Sequence, residues 1–204
     1  MPVVRWCAAA LAVAAFLVSG PPAALAADAQ GNFATLGGGS VNCKRFLEVR
    51  AAKSNEYFLL GGWIDGYLTA RNEYDRDTYA LTPWQSLEFL AGSLAQWCKQ
   101  HPNERFLQAV ASMAAALKPQ RLVRKSERVR ITVGVVQQDF YVETIRRIQA
   151  ALAKIGLFRG KVDGRFDTET SAALRKYQSM QGITATGFPD ELTLFKLFYE
   201  SKNH

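Results

Sequence analysis

Few side chains in this sequence could do covalent chemistry. Its only imidazoles are His101 and His204, and its only thiols are Cys7, Cys43 and Cys98. There is no His-rich zinc pattern, no Cys-His pair, no Cys-x-x-Cys and no recognisable nucleophile motif, so the expectation is a non-enzyme without metal or cofactor. Glu48, Glu56, Glu73 and Glu88 have the acid type that glycoside hydrolysis requires, yet each falls on the solvated face of a helical pattern. A different chemistry is written into the stretch GKVDGRFDTET, residues 160–170, which mixes turn formers, acids and cations. In it Asp163 and Gly164 suit a sharp turn, Asp167 suits a helix cap with Thr170 at the third helical position, and Phe158, Arg159, Lys161, Arg165 and Phe166 surround the turn. Aromatic rings and cations gathered around one sharp turn make this a candidate ligand-binding site.

The elements around that stretch can be read from periodicity. Ile145, Ile148, Leu152 and Ile155 form one apolar stripe, and Gly156 is a left-handed helix stop. Ala173, Leu174 and Tyr177 form a second stripe that ends at Gly182. A third follows Asp190-x-x-Thr193 with Leu194, Leu197 and Phe198, repeating the turn-and-cap device. Three helices with two matched connections are expected over 138–204, with a core able to fold alone.

Upstream, the fold class reads as all-α. Residues 1–26 have a basic start, an apolar run too short to span a bilayer, and Ala24-Leu25-Ala26 at the cleavage spacing, which predicts an export signal. Export places the chain in the periplasm or outside the cell, soluble and off the membrane after cleavage. Residues 27–39 read as a flexible leader. Residues 40–122 read as four helices: the first capped by Ser40 or Asn42, the second by Ser54, the third by Thr82 with Pro83 and Gln85, and the fourth following Pro102 and ending at Pro119. Gly61, Gly62 and Gly66 weaken the second helix, which points to a neighbouring helix crossing at Gly62 and Gly66. Cys43 and Cys98 both face the core of an exported chain and are expected to form a disulfide.

Residues 123–137 read as a charged linker in which Val129, Ile131, Val133 and Val135 alternate as an exposed strand without a visible partner. The chain carries a formal charge of +7, unevenly distributed. Residues 27–122 hold ten basic and nine acidic side chains, whereas 123–204 hold fourteen and nine. An exported protein does not meet nucleic acid, so the expected acidic partner is the cell wall or another anionic surface.

Two resemblances follow from these residues. The run IRRIQAALAKIGLFRGKVDGRFDTETSAALRKYQSMQGITATGFPDELTL resembles the peptidoglycan-binding domain appended to many cell-wall enzymes, through Ile148-Gln149, Leu157-Phe158, Asp163-Gly164-x-Phe166, Tyr177-Gln178, Thr186-Gly187 and Thr193-Leu194. Asp167 departs from the glycine usual there. That resemblance implies a three-helix fold and affinity for wall glycan or stem peptide. Residues 41–117 resemble small secreted helical proteins of the type that includes periplasmic acid-stress chaperones and type VI secretion immunity proteins, through the two cysteines and Trp63-Ile64-x-Gly66-Tyr67. That resemblance implies a protein-binding role. The combined expectation is an exported, non-catalytic peptidoglycan-binding protein with a protein partner for its first half. The alternatives are an immunity or inhibitor protein against a secreted wall hydrolase, and an accessory hydrolase.

Overall fold

In the computed structural model, residues 27–28 and 30–200 are described; the expected export signal, 1–26, lies outside the described residues. The described residues up to Ala34 and those from Thr35 onward form two separate units. In the first unit, Asp28 accepts hydrogen bonds from the backbone N–H groups of Gln30 and Asn32, closing an Asx-type turn.

The second unit has a 3₁₀ turn, Gly37–Ser40, of which 37–39 read as leader and Ser40 as a helix cap. The indole N–H of Trp63 donates to the Leu36 carbonyl at 2.9 Å and ties this turn down. Asn42 caps α1 (Cys43–Ala51) by accepting from the Arg45 N–H at 2.9 Å, while the Ser40 hydroxyl is spent on the Gly37 carbonyl. Ser54 precedes α2 (Asn55–Tyr74) but its hydroxyl makes no capping bond. Leu60, Ile64 and Leu68 of α2 are buried at the helical period. The helix crossing falls at Gly61, not at Gly62 or Gly66: a Cβ on Gly61 would sit 2.9 Å from Leu87, whereas the other two face open space.

The third helix also starts later than its Thr-Pro signal suggests. Helix α3 is Leu87–Gln100, capped by Ser86, whose hydroxyl accepts from the Phe89 N–H at 3.2 Å. Tertiary packing overrides the local capping box, because Trp84 is drawn into a core formed by the second half of the chain. Helix α4 (Phe106–Leu117) ends in a 3₁₀ turn through Pro119. Cys43 and Cys98 are disulfide-bonded across α1 and α3, with both side chains fully buried. Around them Phe46 stacks on Phe106 with ring centres 4.5 Å apart, and Leu90, Leu94 and Val110 close the core. Each such side chain, fully buried, contributes about 1.5–3 kcal/mol.

The strand expected near residue 131 has a partner after all. Strand β1 (Arg128–Val133) pairs antiparallel with β2 (Val136–Tyr141) in a register that sets Val129 opposite Phe140 and Ile131 opposite Gln138. Gly134, at φ +60°, makes the two-residue turn possible. Ile131 and Phe140 lie on one face and are buried with α5 (Val142–Lys154), α6 (Thr168–Met180) and α7 (Glu191–Phe195). Ile145, Ile148 and Leu152 of α5 are buried, but Ile155 falls after the helix end and is 41% exposed. The chain thus carries seven α-helices and one two-stranded sheet among the described residues.

Two apolar cores result, and the second is completed by Trp84 and Ile131 from outside residues 138–204. The backbone N–H and hydroxyl of Ser86 both donate to the Glu191 carboxylate. From α5, Arg147 donates to the carbonyls of Gln120 and Arg121 at 2.7 and 3.0 Å. The core of 138–204 thus takes two buried side chains, Trp84 and Ile131, from earlier parts of the chain, with Phe89 and Val133 packed against it.

Candidate functional site

The connection between α5 and α6 is built around a buried glutamine. Gln149, fully buried on α5, accepts the Gly164 N–H at 2.8 Å and donates to the Arg165 carbonyl at 2.8 Å and to the Thr170 hydroxyl at 3.1 Å. Asp163 accepts from the Arg165 N–H at 2.9 Å, which shapes the turn. Gly164 has φ +82°, and a Cβ there would lie 2.6 Å from Val142, so both conformation and space require glycine. Asp167 accepts from the Thr170 N–H and hydroxyl at 2.8 and 2.7 Å. These two bonds, the amide first, hold the Asp167 carboxyl below the ordinary aspartate value of 3.8.

The connection into α7 repeats this arrangement. Gln178 accepts the Gly187 N–H at 2.7 Å and donates to the Phe188 carbonyl at 2.8 Å and the Thr193 hydroxyl at 3.0 Å. Asp190 caps α7 through the Thr193 N–H at 2.9 Å and its hydroxyl at 2.8 Å. In each case a side-chain amide on one helix fixes both the turn glycine and the capped threonine of the next helix. Unpaired, those buried groups would each cost about 1–3 kcal/mol.

Of the five side chains proposed from sequence as ligand contacts, four reach the surface. Arg159, Lys161 and Arg165 are exposed, and Phe166 is partly buried. The side chains of Arg159 and Lys161 have no hydrogen-bond or ion-pair partner among the described residues. Phe158 is the exception: it is 4% exposed and packs in the core with Leu152 and Leu174, so its ring cannot lie under a sugar. Phe166 instead borders a groove of about 540 Å³ between the hairpin tip and the start of α6, lined also by Thr132, Gly134, Thr168 and Arg175. Thr132 and Gly134 were read as linker residues and went unnoticed as neighbours of Phe166, because only the hairpin brings them there.

Two of the four candidate glutamates, Glu56 and Glu88, are held by ion pairs and hydrogen bonds. Glu56 is ion-paired to Arg45, and Glu88 accepts from the Tyr57 hydroxyl at 2.5 Å and from Arg50. Arg45 holds the Glu56 carboxyl below its ordinary value, and the Tyr57 bond does the same for Glu88. A general acid for glycoside cleavage needs the opposite shift. Among the described residues no cluster of three or more His, Cys, Asp or Glu could hold a metal ion, and no helix is long and apolar enough to cross a membrane.

Residues 142–197 match the family model described as a putative peptidoglycan binding domain. The match spans α5, α6, α7 and both glutamine-held turns, and leaves out the hairpin and the four helices before it. No curated protein and no solved structure matches the chain. The matched family is a binding domain, and the match supports peptidoglycan binding and a location at the cell wall.

Proposed function

We propose that the protein is an exported, non-catalytic peptidoglycan-binding protein, working in the periplasm or beyond it, whose first half engages a protein partner. The observation that carries this reading is the family match over 142–197, on a segment whose turns are fixed by buried hydrogen bonds. In this reading Arg159, Lys161 and Arg165 meet stem-peptide carboxylates, and Phe166 meets a sugar or peptide face beside the groove at the hairpin tip. A partner surface on the first half has support in Phe58 and Leu59, adjacent on α2 and both largely exposed, next to a groove lined by Trp63, Leu60 and Val41.

The test is sedimentation of the full chain with purified sacculi. Recovery in the pellet at moderate salt, without release of soluble wall fragments, is the expected result. A chain that stays in the supernatant at low and moderate salt overturns the wall-binding reading, and fragment release proportional to added protein overturns its non-catalytic part.

A further inference from the structure

The basic run between the two halves is built into the fold where it meets the first turn of α5. Ser126 accepts the Glu143 N–H at 3.0 Å. The Glu143 carboxylate then lies between two arginines, accepting from Arg146 at 2.6 Å and facing the Arg147 Nε at 3.5 Å. Backbone carbonyls fix the other sides of both heads: Asp163 receives Arg146 at 3.1 Å, while Gln120 and Arg121 receive Arg147. A guanidinium carries five N–H donors, so each head is oriented with donors to spare. Arg124 and Lys125 line the same cleft, a cavity of about 370 Å³. Their side chains have no hydrogen-bond or ion-pair partner among the described residues.

Four cations and one carboxylate therefore surround this space, an excess of three positive charges. Like charges lining one cleft repel one another, and an anion that enters offsets that repulsion. A single carboxylate balances one charge, whereas a phosphate monoester carries about two and presents several oxygens to arginine forks. We propose that this cleft binds a phosphate-bearing ligand, with Arg146 and Arg147 as the oriented floor and the exposed Arg124 and Lys125 as the arms that meet it from the rim. The site is separate from the wall contacts around Phe166 and does not depend on them. The same doubly charged monoester is offered by a soluble or polymer-borne phosphate and by a phosphatidic-acid headgroup.

The experiment uses the full chain and inorganic pyrophosphate, titrated by calorimetry in magnesium-free buffer at low and moderate salt. Saturable binding is expected, weakened about tenfold or more in the Arg124→Gln/Lys125→Gln double variant, as the loss of charge-assisted contacts implies. An Arg76→Gln/Lys99→Gln variant removes the same charge from exposed positions elsewhere and should bind as the parent does. No binding by the parent, or equal weakening in both double variants, overturns the site, since the second outcome is general surface charge. A second arm adds phosphatidylcholine vesicles containing phosphatidic acid. Vesicle binding that pyrophosphate displaces assigns a lipid headgroup to the cleft. With the pyrophosphate result in hand, absent vesicle binding, or binding that pyrophosphate leaves intact, assigns the cleft to non-lipid phosphate.

Discussion

The side-chain carbonyl of Gln149 accepts the Gly164 N–H at 2.8 Å across fifteen residues of sequence, and Gln178 does the same for Gly187 at 2.7 Å over nine. Each bond joins the body of one helix to the turn that starts the next. The turns beside the candidate wall site are therefore positioned by the core. Replacing either glutamine by Leu leaves the glycine N–H buried without an acceptor. Each variant is expected to lose about 1–3 kcal/mol, read as a lower urea midpoint with an unchanged slope. A midpoint equal to the parent's would remove these amides from the account of the fold.

Trp84 sits in sequence with the first half but is buried with Phe89, Phe198 and Tyr199 around it. Trp84→Ala in the full chain should cost about 3–5 kcal/mol, the usual range for emptying a core aromatic site. Hydrogen exchange locates the effect: amides of α5–α7 should lose protection although the substitution lies before α3. Loss confined to α1–α4 would contradict the packing described.

Acid sensitivity should depend on Asp167. Its carboxyl titrates lower in the folded chain than in the unfolded one, because the ionised form accepts from Thr170. The stability it supplies is therefore fully present above the unfolded aspartate value and disappears as pH falls through the folded value. Asp167→Asn retains a capping oxygen without that ionisation. Chemical denaturation at a series of pH values should show a shallower acid decline for the variant than for the parent; parallel curves would exclude a contribution from this carboxyl.

The Cys43–Cys98 bridge closes fifty-five residues of sequence between two buried side chains. Cys43→Ser/Cys98→Ser should lower stability by about 2–5 kcal/mol. Thermal melts of parent and variant under the same non-reducing conditions read the difference, and thiol titration of the denatured parent should find neither of these cysteines free.

Arg159, Lys161 and Arg165 provide the test of the proposed wall contacts. Changing all three to Gln should weaken sedimentation with sacculi and flatten its salt dependence, while the melting temperature stays close to that of the parent, since exposed charges contribute little to stability. If the triple variant binds as well as the parent at low salt, the contacts shift to the groove at Phe166, Thr132 and Arg175.

Much of the local structure was legible because it is governed by short-range rules. The stripes Ile145-Ile148-Leu152 and Ala173-Leu174-Tyr177 carry the helical period, and glycines with positive φ stand where the turns need them. The misreadings have one cause. Thr82-Pro83-x-Gln85 is a sound local helix start, yet helix α3 begins at Leu87 because burying Trp84 is worth more than an earlier cap. Phe158 looked like a surface ring beside a turn, but the same turn folds it into the core. Both outcomes depend on partners distant in sequence, Phe198 and Tyr199 for Trp84 and Leu174 for Phe158.

By itself, then, the sequence determined the helical class, the two cysteines suited to a bridge and the turn-and-cap signals around Asp163 and Asp167, because composition, periodicity and capping act over a few residues. Tertiary structure decided which glycine admits a crossing helix, that β1 has β2 as its partner, that Trp84 and Ile131 complete the second core, and that Arg124 and Lys125 share a cleft with Arg146 and Arg147. Those relationships come from apolar surface burial and charge proximity between segments far apart in the chain, and both quantities exist only once the chain has closed on itself.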